Sequence, residues 1–409
     1  MPATAASASA TRRPGFIQGI MLLLPITMAV MGVSLLITVV PLMYEHFKDI
    51  PHYDYLIQGG VMTMPAIWVV LFSPVAGLLA DRVGRRSILM AAMIVYAGIG
   101  IAPALLDNLY AIIGTRIGVG ICESIVMTVS TTMICDYFSG KSRERWLAGQ
   151  TATASLSALA IIPLGGALAA NYGWHGPFYI YLYSLLLVAG VAIFIWEPPA
   201  EPKPAVTGTH AAAAVPFPWL RILSLCALTM VAAVMFYSII TQNGNAMTIL
   251  GVTDPRKQAV LTMLGSLGVP IGTFLYWGAS KLPIGWLLCL DFLLVGIGFW
   301  GMGHAVNPSS YVEAAFINQL GCGLVLPTML VWTTRGLAYQ IRGRGNGMWQ
   351  ASFAIGQFGS GMLLTFLGKQ LGGLLPAFSA LSVVCFVVAA AAIAGALHGR
   401  NSARAPAAV

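Results

Sequence analysis

Charge is what this sequence has least of. Asp, Glu, Lys and Arg make up 8% of its 409 residues, against about a quarter in a soluble domain. That excludes an ordinary water-soluble fold, whose surface needs far more charge. Cysteine is sparse too. The six (Cys122, Cys135, Cys226, Cys289, Cys322 and Cys385) all fall in apolar runs without metal-ligand spacing, so they read as buried thiols, and neither a metal site nor a disulfide framework is expected. No G-x-x-x-x-G-K-[ST] loop is present, which excludes ATP as an energy source acting through this chain. There is no zincin motif and no nucleophile elbow. No cofactor and no enzymatic activity are expected. The six histidines lie at the ends of apolar runs or between them, away from positions suited to a proton relay.

What is abundant is apolar length. The chain is 58% hydrophobic, with a mean hydropathy of +0.83. A membrane crossing needs roughly twenty apolar residues. Twelve such runs are legible, at 17–44, 55–80, 87–106, 109–136, 144–170, 175–196, 219–249, 257–279, 284–303, 309–335, 345–368 and 373–397. Pro25, Pro65, Pro103, Pro163, Pro270 and Pro327 interrupt many of them, which a membrane tolerates where neighbouring helices satisfy the freed backbone groups. Residues 197–218 are Pro/Ala-rich and read as a linker dividing the spans six and six. The expected organisation is a disordered cytoplasmic segment 1–16, a six-helix bundle 17–196, the cytoplasmic linker, a second bundle 219–397 and a cytoplasmic tail 398–409. No signal peptide is read near the N-terminus.

Lys and Arg set the orientation. With both termini cytoplasmic, sixteen of the 21 basic residues fall on the cytoplasmic side, four outside (Lys48, Arg256, Lys257 and Lys369) and one, Arg116, within a span. The opposite orientation would invert that bias. The pI near 9.3 follows from basic loops facing anionic lipid, so no nucleic-acid partner is implied. The halves look related. Arg143-Glu-Arg145 precedes span 5 and Arg342-Gly-Arg344 precedes span 11, while Tyr110 and Gly120 parallel Tyr311 and Gly321 at an offset of 201. Such internal repetition is common in secondary transporters.

Residues 77–86, Gly-Leu-Leu-Ala-Asp-Arg-Val-Gly-Arg-Arg, sit between spans 2 and 3. Gly77 and Gly84 are expected to let backbones approach closely, and the arginines to lie on the cytoplasmic side. The stretch resembles the loop 2–3 signature of the major facilitator superfamily, G-x-L-A-D-R-x-G-R-[KR]. That resemblance implies twelve helices in two pseudo-symmetric six-helix bundles around a central cavity, an all-α membrane protein working by alternating access. It also implies that Asp81, Arg82, Arg85, Gly77 and Gly84, with Asp136 at the end of span 4, form a cytoplasmic gate acting against span 11.

Span 4 carries Arg116 and Glu123, seven residues apart on one face and about 10 Å apart along the axis. Counted from Leu109, Glu123 is near mid-bilayer, where an unpaired charge costs about 2.5–3.5 kcal/mol or more. A carboxyl subject both to burial and to a nearby cation can change protonation when its surroundings change, which is what proton coupling requires. The bland alternative is a static pair tying span 4 to its neighbours. R-x-x-x-G-x-x-E followed by Asp136 and Phe138 resembles span 4 of several subfamilies and implies a coupling role for both residues. The span 11 stretch from Arg342 to Gly359 resembles the drug/metabolite–proton antiporter group. Span 5 departs from the antiporter pattern, because the Gly before Pro163 is missing; the motif therefore does not fix the direction of transport.

Polar or methionine side chains at mid-span supply the candidate substrate wall: Met31 and Ser34, Met127, Tyr237, Thr241, Gln242 and Asn245, Asn318 and Gln319, Gln350 and Gln357. For each amide the plain alternative is an interhelical hydrogen bond. Asp291 and Glu313 are read as structural acids. The expectation is a monomeric, proton-coupled exporter of a small, partly apolar compound in a bacterial inner membrane. Uptake of an organic anion and a lysolipid or sphingolipid-type carrier are the alternatives. Cysteines introduced by Lys141→Cys and Lys203→Cys are expected to react with an impermeant thiol reagent only from the cytoplasm, and those of His52→Cys and Asp254→Cys only from outside. Labelling at 203 from outside would reverse the topology.

Overall fold

A computed structural model describes residues 14–197, 217–334, 337 and 339–402. Most of the expected terminal segment 1–16, most of the linker, Arg335 and the end of the tail lie outside the described residues, as do the side chains of Arg342 and Arg400. Within what is described there is no strand, because a bilayer leaves the backbone only itself to hydrogen-bond to and a helix satisfies it locally. Among the described residues eleven helical stretches are long and apolar enough to cross a membrane; one, Gly140–Phe194, runs 55 residues. It turns at Gly173, whose φ is 65°, and so makes two crossings.

The crossings are α1 (Phe16–Ser34), α2 (Tyr53–Val83), α3 (Arg85–Leu105) and α4 (Leu109–Tyr137). They continue with α5 (Gly140–Tyr172), a 3₁₀ segment Gly173–Leu182 leading into α6 (Tyr183–Phe194), α7 (Trp219–Ile249), α8 (Pro255–Ala279) and α9 (Ile284–Gly303). The last three are α10 (Pro308–Thr334), α11 (Tyr339–Gln370) and α12 (Leu374–Ser402). The expected spans appear in order. Span 1 differs in detail, being broken at Pro25 and again after Ser34, and resuming as a short helix, Val40–His46. Local chemistry sets several starts. Asn108 Oδ1 accepts from the Tyr110 and Ala111 amides at the head of α4, and Asp254 Oδ1 accepts from Arg256 at the head of α8, each meeting amides that a helix leaves unpaired.

Two buried cores result. One contains Leu22, Met28, Tyr96, Val126 and Tyr181 of the first six helices, the other Met235, Phe292, Phe299, Val325 and Phe378 of the last six. A small cluster of Ile37, Ile162 and Ala259 joins the halves. Helices in lipid pack through small residues, and Gly268, Gly272 and Gly323 let the backbones of α8 and α10 meet. The sequence parallel at an offset of 201 does not carry through to contacts. Gly120 packs on Pro65 and Trp68 of α2, whereas Gly321 packs on Asp291 and Val295 of α9. Tyr110 is exposed and Tyr311 buried.

A Cβ added at Gly120 would lie 2.6 Å from the Pro65 carbonyl oxygen, while one at Gly114 would meet nothing within 4 Å. Overpacking costs about 1–3 kcal/mol. Gly120→Ala is therefore expected to lower the thermal unfolding midpoint of the purified protein, and Gly114→Ala not to lower it. Equal midpoints would show that α2 and α4 are not so closely packed.

Candidate functional site

Arg116 is fully buried on α4. Its Nε donates to the Val61 carbonyl at 3.1 Å, one Nη to Tyr181 Oη at 2.8 Å and the other to the Gly32 carbonyl at 2.7 Å. The guanidinium also lies 5.5 Å from the centre of the Tyr181 ring. Arginine is always charged, and a rigid fork of donors suits it to such a burial. The fork ties α4 to α1, α2 and the 3₁₀ segment before α6. Tyr96 completes the cluster, its hydroxyl donating to the Met28 carbonyl at 2.7 Å and its ring 5.0 Å from that of Tyr181.

Glu123 is buried on the same helix, and its Oε1 has no hydrogen-bond partner. Among the described residues it forms no ion pair with Arg116, so the static Arg–Glu pair is not what the fold contains. The two side chains meet at one residue instead. Gly32 gives Arg116 its carbonyl, and a Cβ built on Gly32 would lie 2.5 Å from Glu123 Oε1. Gly32 admits the carboxyl because it has no side chain of its own.

Between the halves is a cavity of about 310 Å³. Its walls come from α1, α4 and α5 on one side and α7, α8, α10 and α11 on the other. Of the residues expected there, Ser34, Met127, Tyr237, Gln319 and Gln357 line it, and among the described residues no charged side chain does. Glu123 is not on that wall and stands one layer behind it. Gly32 intervenes, Val33 and Ser34 face the space, and Met127, one turn along α4, is the member of its own helix that reaches it.

The remaining candidates are placed elsewhere. Met31 is buried in the first-half core. Thr241, Gln242 and Asn245 lie where the halves touch. Gln242 Nε2 donates to the Gly361 carbonyl at 3.2 Å and to Thr365 Oγ1 at 2.9 Å, and Asn245 Nδ2 to Gln242 Oε1 at 2.7 Å; the Thr241 carbonyl accepts from Gln58 Nε2 at 3.2 Å. Asn318 turns the other way, to the Val295 carbonyl of α9 at 3.1 Å, and Gln350 is exposed. The reason is shared: amides in hydrocarbon take the nearest backbone or side-chain partner, and neighbours on a helix point about 100° apart. Asp291 is fully buried on α9 with both carboxyl oxygens unpartnered, whereas Glu313 is exposed near the start of α10.

At the end bearing residues 77–86, Arg85 reaches both Asp136 and, at 3.8 Å, Asp81. All three belong to the first half, and Arg82 is exposed. Gly84 has a φ of 98°, a conformation that favours glycine. Gly77 does not serve close approach among the described residues, since a Cβ there would meet nothing within 4 Å. The start of α11, against which these charges are expected to act, is only partly described. Sequence reading missed Glu197, whose carboxylate accepts from the Arg85 and Arg86 amides at 2.6 and 2.8 Å and caps α3. The available signal was an acid directly after span 6, facing a loop of arginines. Gly32 and Tyr181 were missed as well, and no local pattern sets them apart.

Comparison with known proteins gives the following. Residues 22–360 match the Major Facilitator Superfamily. The chain is 26% identical over 176 residues to Multidrug resistance protein 2 of Bacillus subtilis (strain 168), 43% of each chain. It is 30% identical over 155 residues to the Bacillibactin exporter of the same organism, 36% of this chain and 37% of that one. Each match thus spans less than half of these curated relatives. A solved bacterial homologue of the human lysosomal transporter Spinster, inward-facing and unoccupied, superposes with a TM-score of 0.74 at 17% identity, covering 92% of this chain and 95% of that one.

Removing one partner of a buried charge costs roughly 3–5 kcal/mol. Lysine cannot reproduce the fork of three hydrogen bonds that Arg116 makes. Arg116→Lys is expected to lower the unfolding midpoint strongly, and Tyr181→Phe, which deletes one acceptor, mildly. The reverse order in a thermal melt would show that the fork does not anchor α4.

Proposed function

The chain belongs to the Major Facilitator Superfamily, and from that premise we propose that it couples proton movement to export of a small, partly apolar compound. It is a multi-pass membrane transporter and not an enzyme. The observation that carries the coupling claim is Glu123, an acid buried in a transporter's core, with an oxygen that nothing hydrogen-bonds, one glycine behind the cavity wall. Each proton moved through 100 mV is worth about 2.3 kcal/mol, so one per cycle sustains a useful gradient. A change in packing at Gly32 alters the surroundings of Glu123 and the shape of the cavity together, because Gly32 borders the carboxyl and its neighbours Val33 and Ser34 line the cavity.

An uncharged wall lined by Ser34, Met127, Tyr237, Gln319 and Gln357 suits a neutral or cationic amphipathic cargo. The names of the two bacterial relatives, Multidrug resistance protein 2 and the Bacillibactin exporter, support outward transport. Uptake of an organic anion would need a cation on the wall, and the donors of Arg116 are engaged elsewhere. In this reading Arg116 is a positioning residue for α1. Asp81, Arg82, Arg85 and Asp136, with Gly77 and Gly84, form the gate on the cytoplasmic side. Both termini are cytoplasmic, and the membrane is a bacterial inner membrane.

A thermal-shift screen of neutral, cationic and anionic aromatic compounds on purified protein identifies a cargo for reconstitution. In proteoliposomes with an imposed pH gradient, Glu123→Gln is expected to abolish accumulation against the gradient while leaving cargo binding and exchange within about twofold of wild type, or about 0.4 kcal/mol, because the side chain stands outside the wall. Accumulation as in wild type would make Glu123 structural and pass the coupling role to Asp291.

A further inference from the structure

The end of the molecule opposite residues 77–86 holds a second charged contact. Lys369 near the end of α11 lies 2.5 Å from Asp54 Oδ2 near the start of α2, and its ammonium sits 4.4 Å from the centre of the Tyr55 ring. Asp54 is 13% exposed. The pair joins one half to the other. Deeper in, Gln58 Nε2 donates to the Thr241 carbonyl of α7 at 3.2 Å and to Tyr44 Oη at 3.0 Å, and Thr63 Oγ1 donates to the Phe358 carbonyl of α11 at 3.0 Å. Three layers, at residues 54, 58 and 63, therefore hold α2 to the second half.

Those positions do not share a face of an α-helix. Asp54 and Thr63 are nine residues apart, which at about 100° per residue places them on opposite sides. They align because Leu56–Thr63 is wound as a π-helix, whose i→i+5 bonds turn the chain less per residue. Small residues bring the helices together here. A Cβ on Gly59 would lie 2.6 Å from Met362 Sδ, and one on Gly361 would collide with Gln58 Oε1. That oxygen is buried without a partner, an unmet acceptor that makes the closed arrangement shallower than full satisfaction would.

We propose that Asp54, Lys369 and the π-wound stretch Leu56–Thr63 form the second gate, and that it opens by rewinding the stretch to an α-helix. Rewinding swings Thr63 off Phe358 and turns the helix end bearing Asp54 relative to Lys369, so the three layers release together. A change of one residue in register gives two discrete arrangements and no stable intermediate, the requirement for a gate that is open or shut. Asp54 and Lys369 are positioning residues, and this gate rests on the alternating-access reading.

The test places spin labels at Asp49→Cys and Leu371→Cys in a background without the native cysteines and measures their distance distribution by pulsed electron paramagnetic resonance in nanodiscs, with no cargo present. Asp54→Asn, Asp54→Lys and Lys369→Asp are each expected to raise the long-distance fraction at least threefold, and the double variant Asp54→Lys/Lys369→Asp to restore the wild-type distribution. Deleting Gly60, which removes the extra residue of the π-wound stretch, is expected to leave only the long distance. Asp54→Asn, the mildest change, keeps the charge test valid if a reversal variant does not fold. Wild-type distributions in the single variants, or a double variant that is not restored, would overturn the charged gate. A short distance retained after the Gly60 deletion would overturn the rewinding. One fixed population in wild type across all pH values would overturn the alternating-access reading itself, and the gate with it.

Discussion

Hydrocarbon cannot accept or donate a hydrogen bond, and most of this structure follows from that. Backbone groups must pair within their own segment, which yields twelve crossings and no strand among the described residues. Side chains obey the same rule. Gln242, Asn245, Asn318 and Gln58 all spend their amides on nearby carbonyls, hydroxyls or one another. Arg116 is the strongest case, because its charge cannot be shed, and the three acceptors that satisfy it belong to three other segments. The fork is a tether, and α4 is fixed by it.

Against that background the unsatisfied groups stand out. Among the buried groups left unpartnered are Glu123 Oε1, both oxygens of Asp291 and Gln58 Oε1. Leaving a buried acceptor unmet costs about 1–3 kcal/mol each, so each marks a place where the fold stops short of its most stable packing. At two of the three sites the unpartnered oxygen itself faces a glycine on another helix, Gly32 beside Glu123 and Gly361 beside Gln58. Gly361 and Gln58 belong to opposite halves, whereas Gly32 and Glu123 both belong to the first. Asp291 lies wholly within the second half, away from the cavity wall.

The two ends of the molecule are built differently. At residues 77–86 the ion pairs of Arg85 stay within the first half, and Glu197 fixes the loop by capping α3. At the other end, Asp54, Gln58 and Thr63 reach directly across to the second half. The cavity between them has walls from both halves and, among the described residues, no charge on its surface. A cargo site of this kind selects by shape and a few hydrogen bonds, with the charges held one layer back or at the ends.

Much of this was legible in the residues themselves. Span number and order, the division into halves and the charged turn follow from runs of apolar residues and clustered arginines, since hydrophobic thickness and topology act on local composition. That Arg116 and Glu123 are special also follows, because a charge within a span is costly wherever it sits. What the charges touch was not legible. Gly32, Tyr181, Glu197 and the pairing of Asp54 with Lys369 are decided by helices far apart in sequence, and nothing near them in the chain distinguishes them. The polar residues of α7 show the same limit. Tyr237 faces the cavity, while Gln242 bonds to Gly361 and Thr365 of α11 and Asn245 to Gln242. Composition places an amide in a membrane; only the packing of one helix against another determines which side of the cavity wall it occupies.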